Sequence, residues 1–176
     1  MKPSNKAAPK GPTAKQQLES LIAKVDGKHR DLLISVRKAL TRRFPTANEL
    51  VYDYPHALVI GYSPNENGVE AVVALSANAE GLRLYFLNGP KLPDPTGSLL
   101  GSGKQTRYIE VDSLATLKRP EVEAFLKAVV ALAKTPLSAT GGGQILIKTS
   151  ASKRAAKPKV AKGKAKAAKK KAARRA

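Results

Sequence analysis

The sequence predicts an α+β fold: a small, largely antiparallel sheet of about five strands, with two helices before it and one after. Three observations carry the prediction. Apolar residues recur at helical spacing on both flanks of the middle region and at strand spacing between them. The strand-like runs lie too close together for the long crossovers that parallel pairing requires. Helices that flank a run of strands can cover one face of an antiparallel sheet.

Segment 14–25, AKQQLESLIAKV, places Leu18, Leu21, Ile22 and Val25 on one stripe of a first helix. Gly27 is expected to end it. A second helix follows over about 29–44, with Leu33, Val36, Leu40 and Phe44 inward. Arg42 and Arg43 suit the negative end of its dipole, and Pro45 closes it. The period then changes. Runs 50–54 (LVYDY), 57–63 (ALVIGYS), 70–76 (EAVVALS) and 81–87 (GLRLYFL) read as strands, with turn signals at Pro55, Pro64–Gly68 and Asn78–Gly81. In the fourth run Leu82, Leu84 and Phe86 share a face and Arg83 points the other way.

A Pro/Gly-rich loop, 88–105, is long enough to be functional or mobile. Strand 106–111 (TRYIEV) follows. Pro120 opens a third helix at its first turn, with Glu121 and Glu123 at the positive end. Val122, Phe125, Leu126, Val129 and Ala133 form its stripe, and Pro136 ends it. Run 144–150 (QILIKTS) is a candidate last strand. The organisation is a disordered basic arm over 1–13, a folded domain over 14–149 and a disordered polybasic tail over 150–176.

Charge divides the chain in the same way. The 176 residues carry a net +19 and no cysteine. Residues 16–150 hold sixteen basic and all thirteen acidic residues, a net of +3, so the remaining sixteen cations lie at the two ends. Blocks of like charge repel one another and stay solvated. The absence of cysteine removes disulfides and thiolate metal sites. No apolar run is long enough for a membrane helix, and no signal-peptide pattern follows the basic start. A cytoplasmic, nucleoid-associated location is expected.

Three segments of residues 16–135 resemble the YdhG-like family of small bacterial domains of unknown function. One is ANELVYDYP, with Tyr52 three positions before Pro55. Another is LNGPKLPDP leading into GSGKQTRYIEV. The third is the helix opened by RPEVEAFL. The resemblance implies a small α+β fold related to frataxin-like iron chaperones and to DNA-binding proteins. The chain departs from an acidic iron-binding ridge. Its first two helices offer Glu19, Asp26 and Asp31 among Lys24, Lys28, Arg30, Arg37, Lys38, Arg42 and Arg43.

Candidate sites in the folded region are few. The 97–106 stretch, GSLLGSGKQT, has one residue too many between Gly97 and Gly103 for a P-loop, and Gln105 stands where a magnesium-binding hydroxyl belongs. It also precedes a strand, so no helix dipole would meet a phosphate. Two readings remain: an anion cradle of Gly101, Gly103, Lys104 and Arg107, or a solvated loop. Tyr52, Asp53, Tyr54 and His56 could perform acid–base chemistry if they converged. Alternation instead turns Asp53 away from the tyrosines, which favours a packed tyrosine pair on an edge strand. His29, at a helix start among charges, is expected to be exposed. Two lone histidines give no zinc spacing, and no metal or cofactor is expected.

The strong signal is the tail. Lys153, Arg154, Lys157, Lys159, Lys162, Lys164, Lys166, Lys169, Lys170, Lys171, Arg174 and Arg175 make up half of residues 153–176, with no acidic residue among them. It resembles the lysine/alanine tails of linker histones. Without bulky apolar residues it is not expected to insert into lipid, and without aromatics it cannot stack on bases. The expectation is a non-enzymatic protein whose tail binds duplex DNA or structured RNA through phosphates. The alternative is a small-ligand or metabolite-binding domain, an enzyme or an iron handler, with the tail serving localisation.

Overall fold

The computed structural model describes residues 11–148. The tail cations and most of the basic arm lie outside the described residues. Helix α1, Ala14–Ala23, begins on a capping box. The Gln16 amide donates to the Thr13 hydroxyl at 3.3 Å, and the Thr13 amide donates to the Gln16 side chain at 2.8 Å. Thr13, assigned by sequence to the arm, is thus the cap of the first helix.

Gly27 does not end α1; it is the first residue of α2, Gly27–Arg43. The reason is Asp26, whose carboxylate accepts the Lys28 amide at 3.1 Å and caps the second helix. Arg30 reaches back and donates to the carbonyls of Ala23 and Val25, satisfying acceptors where α1 stops. The stripe Leu33, Val36, Leu40 and Phe44 is buried as its period requires.

The sheet has six strands rather than five: β1 Asn48–Tyr54, β2 Ala57–Ser63, β3 Val73–Asn78, β4 Gly81–Leu87, β5 Thr106–Val111 and β6 Ile145–Lys148. Their order is β5-β4-β3-β2-β1-β6. The first five form an antiparallel meander. β6 returns and pairs in parallel with β1, from Glu49↔Ile145 to Tyr52↔Lys148. β1 is therefore an interior strand, not the edge strand expected from its tyrosines. The third strand starts at Val73, not at residue 70, because a 3-10 turn over Gly68–Glu70 is capped by Asn67 and tied by Glu70 to Asn65, Asn67 and Thr135.

Alternation sends Val51, Leu58, Ile60, Tyr62, Val73, Leu75, Ala77, Leu82, Leu84 and Phe86 toward the helices. There they meet α1, α2 and α3, Pro120–Ala131, whose Val122, Phe125, Leu126 and Val129 are buried. Phe86 and Phe125 meet edge to face at 5.7 Å. Ala133 lies beyond the end of α3 but still packs on this core. All three α-helices contribute to this one cluster; among the described residues the opposite face carries no α-helix, and the Gly68–Glu70 3-10 turn packs there against Tyr52 and Leu50.

Candidate nucleic-acid interface

The strand period that fills the core also decides what the uncovered face displays. Residues between the core positions point away from the helices: Tyr52 and Tyr54 on β1, Val59 on β2, Ser76 on β3, Arg83 and Tyr85 on β4, Tyr108 on β5. The protein has five tyrosines, and four of them lie on this face; Tyr62 alone is in the core. Tyr52 and Tyr54 stack nearly parallel, with ring centroids 5.9 Å apart and planes 6° apart. Tyr85 and Tyr108 sit opposite each other on neighbouring strands, centroids 5.2 Å apart. The Arg83 guanidinium lies over the Tyr108 ring at 5.1 Å from its centroid, a cation–π contact.

These rings are only partly covered. Tyr54 is 45% exposed, high for so large an apolar surface. Burial, then the neighbouring Tyr54, pushes the Tyr52 phenol above its ordinary range. Two glycines permit the closest approaches. A β-carbon at Gly68 would fall 2.2 Å from the Tyr52 hydroxyl, and one at Gly101, whose φ is +94°, would fall 3.1 Å from the Tyr108 ring. The 3-10 turn and the long loop thus pack on one ring of each pair.

The sequence candidates separate into two groups. Tyr52 and Tyr54 are together. His56 follows in the Pro55–His56 turn that closes the β1–β2 hairpin. Asp53 faces the helix side, with its carboxylate 3.7 Å from Lys24. Asp53, Tyr54 and His56 border an open groove of about 440 Å³ between this hairpin and the end of α1. Tyr52 is not among its lining residues, so the four residues of the acid–base reading do not converge.

Gly101, Gly103, Lys104 and Arg107 lie at the other side, near β5. Strands β2, β3 and β4 stand between β5 and β1, a separation of about 19 Å at ordinary strand spacing. Arg107 donates to the carbonyls of Gly103 and Thr106, so its guanidinium closes its own loop. The loop's amide donors also serve an internal anion. Ser98 and Leu99 N–H groups donate to Asp94 at 3.0 and 2.8 Å. Burial alone would raise the Asp94 pKa, but these bonds and the Thr96 hydroxyl outweigh it and hold the carboxyl below its ordinary value. Lys104 is exposed.

Three features escaped the sequence reading. Tyr85 and Tyr108 join the tyrosine face; the signal is alternation in GLRLYFL and TRYIEV, which puts Tyr85 on the side of Arg83, and the strand register pairs it with Tyr108. Glu49 is buried, 2.7 Å from Arg37, and accepts the Thr41 hydroxyl. Tyr62 completes this cluster by donating to the Arg37 carbonyl, and burial, then the nearby Glu49, pushes its phenol strongly upward. His29 is half-buried, not exposed, and its Nε2 is enclosed without a hydrogen-bond partner. The early start of α2 at Gly27 carries it against Gly81 at the start of β4.

Among the described residues no helix is long and apolar enough to cross a membrane, and no three His, Cys, Asp or Glu side chains gather as metal ligands. No family model, no curated protein and no solved structure matches the chain.

Proposed function

We propose that the protein is a non-enzymatic nucleic-acid-associated protein, a YdhG-like α+β domain tethered by its polycationic tail to phosphate backbones beside the nucleoid. One observation carries the reading: twelve lysines and arginines, and no acid, in residues 153–176. Such a segment releases condensed counterions when it meets a polyphosphate. It reads no sequence, because contacts to phosphates carry no base information.

The test is binding of duplex DNA across a salt series by the full chain and by a form lacking residues 151–176. With about 6–10 phosphates engaged, affinity should fall roughly 10³–10⁵-fold between about 50 and 200 mM salt. The deletion should remove most of that slope. Lys170→Ala should lower it by about one unit or less, equally for any sequence. Salt-insensitive duplex binding that survives the deletion would assign recognition to the folded domain instead.

A further inference from the structure

We infer that the uncovered tyrosine face is a stacking platform for the bases of a single-stranded nucleic acid, whose phosphates the tail contacts. This rests on the tail reading and extends it to a second surface and a second class of strand.

Buried helix-side positions on the strands are filled mainly by aliphatic residues, with Phe86, Tyr62 and the Arg37-paired Glu49, whereas four of the five tyrosines lie on the side without an α-helix among the described residues. A tyrosine ring offers a flat apolar surface to any base, and such stacking tolerates sequence. Between the pairs the floor is low. Ala57 and Val59 on β2 and Ala74 and Ser76 on β3 occupy the two strands that separate Tyr52 and Tyr54 from Tyr85. β1 and β4 are three strand spacings apart, about 14 Å, which leaves room for bases between the aromatic walls.

The second observation is where the tail begins. Lys148, the last described residue, is in register with Tyr52. Lys153 and Arg154 follow five and six residues later, and five residues of extended chain span at most about 18 Å. Chain length alone therefore limits Lys153 to within about 18 Å of Lys148, which is itself paired beside Tyr52. A strand bound to these cations would run past the tyrosines.

The face does not supply the phosphate attraction itself. Lys148 is 3.4 Å from Glu66, and Arg83 is 2.6 Å from Glu80 and 3.8 Å from Glu110, so its cations already have acidic partners. The two parts divide the work: charge from the tail, base contact from the rings. A duplex cannot use the rings in this way, because its bases are already stacked inside it. A partner protein could also cover tyrosines, but nothing beside the face favours one, whereas the adjoining polycation favours a polyanion with exposed bases.

The division gives a clean experiment on the full chain. The protein has no tryptophan, so its emission comes from tyrosine, mostly from this face. The probes are an oligothymidylate and an abasic strand of equal length and charge. The oligothymidylate should quench the emission and bind about tenfold more tightly per stacked base. Tyr54→Ala and Tyr85→Ala should erase much of that advantage and leave abasic and duplex binding unchanged. Tyr54→Trp should keep the advantage and report it through its own emission.

Equal affinity of the wild-type protein for the two strands would overturn the proposal. So would an equal loss on both strands in the alanine variants, or a change of oligomeric state in them without any effect on oligothymidylate. Salt-insensitive oligothymidylate binding would instead sink the tail reading and leave the platform. Failure to bind any of the probes would sink both.

Discussion

The two faces of the sheet are built from the same strands and obey different rules. On β4, Leu82, Leu84 and Phe86 are buried against the helices, while Arg83, Tyr85 and Leu87 alternate with them and remain partly open. The helix side is held by apolar burial, which is cooperative and indifferent to charge. The other side is held by ring contacts, ion pairs and hydrogen-bonded turns. Side chains needed for packing and side chains free to do something else can therefore be told apart by which side they occupy.

The largest test of this contrast compares two aromatic truncations. Phe125→Ala removes a ring that is 1% exposed, together with its edge contact to Phe86. It should cost about 3–5 kcal/mol in denaturant unfolding. Tyr54→Ala, on the open side, should cost about 0.5 kcal/mol or less while altering binding. Similar losses from both would mean that the tyrosine face is core.

A smaller effect tests the buried charged cluster on the helix side. Glu49 is 4% exposed and depends on Arg37 and Thr41. Arg37→Met keeps the apolar stem and leaves the carboxylate buried without its cation. The expected loss is about 3 kcal/mol at neutral pH. Replacing Arg37 and Glu49 together by apolar residues should recover much of it. A loss that persists in the double variant would show that the stem packing of Arg37, not the charge, is what matters.

Much of the helix side was legible, because periodicity encodes burial directly. The stripe of α2 and the alternation of β4 read off without tertiary information. Boundaries were lost where a polar cap outweighed a glycine, as Asp26 did over Gly27. β6 was the hardest strand to count, since its partner is nearly a hundred residues away and nothing local specifies parallel pairing. The site was legible only in part. Tyr52 and Tyr54 are close in sequence, so their stacking followed from alternation. Tyr85 and Tyr108 meet only through the β4–β5 register. Asp94, which occupies the loop amides, could not be distinguished from a solvated acid.

The smallest expected effect is a pH dependence set by two hydrogen-bonded carboxylates, Glu70 on the open side and Asp112 ahead of α3. Glu70 holds the 3-10 turn that packs on Tyr52. Its carboxyl is lowered from an ordinary 4.5, first by the Thr135 hydroxyl and then by the Asn65 and Asn67 amides. Asp112 is lowered from 3.8, first by the Thr116 hydroxyl and, in part, by Arg119, against some burial. For each, the folded form binds fewer protons than the unfolded chain at the same pH. The stabilisation is therefore complete above the ordinary value and disappears as pH falls through the lowered one. Unfolding midpoints should stay flat from neutral pH to about 5 and decline below 4.5. Glu70→Gln should flatten part of that acid limb and weaken the protein slightly at neutral pH. Hydrogen exchange resolves the location: in acid, amides of Gly68–Glu70 should lose protection before those of β3 and β4. Uniform loss across both faces would show that the turn and the sheet open together, and that the two sides of the molecule are one cooperative unit after all.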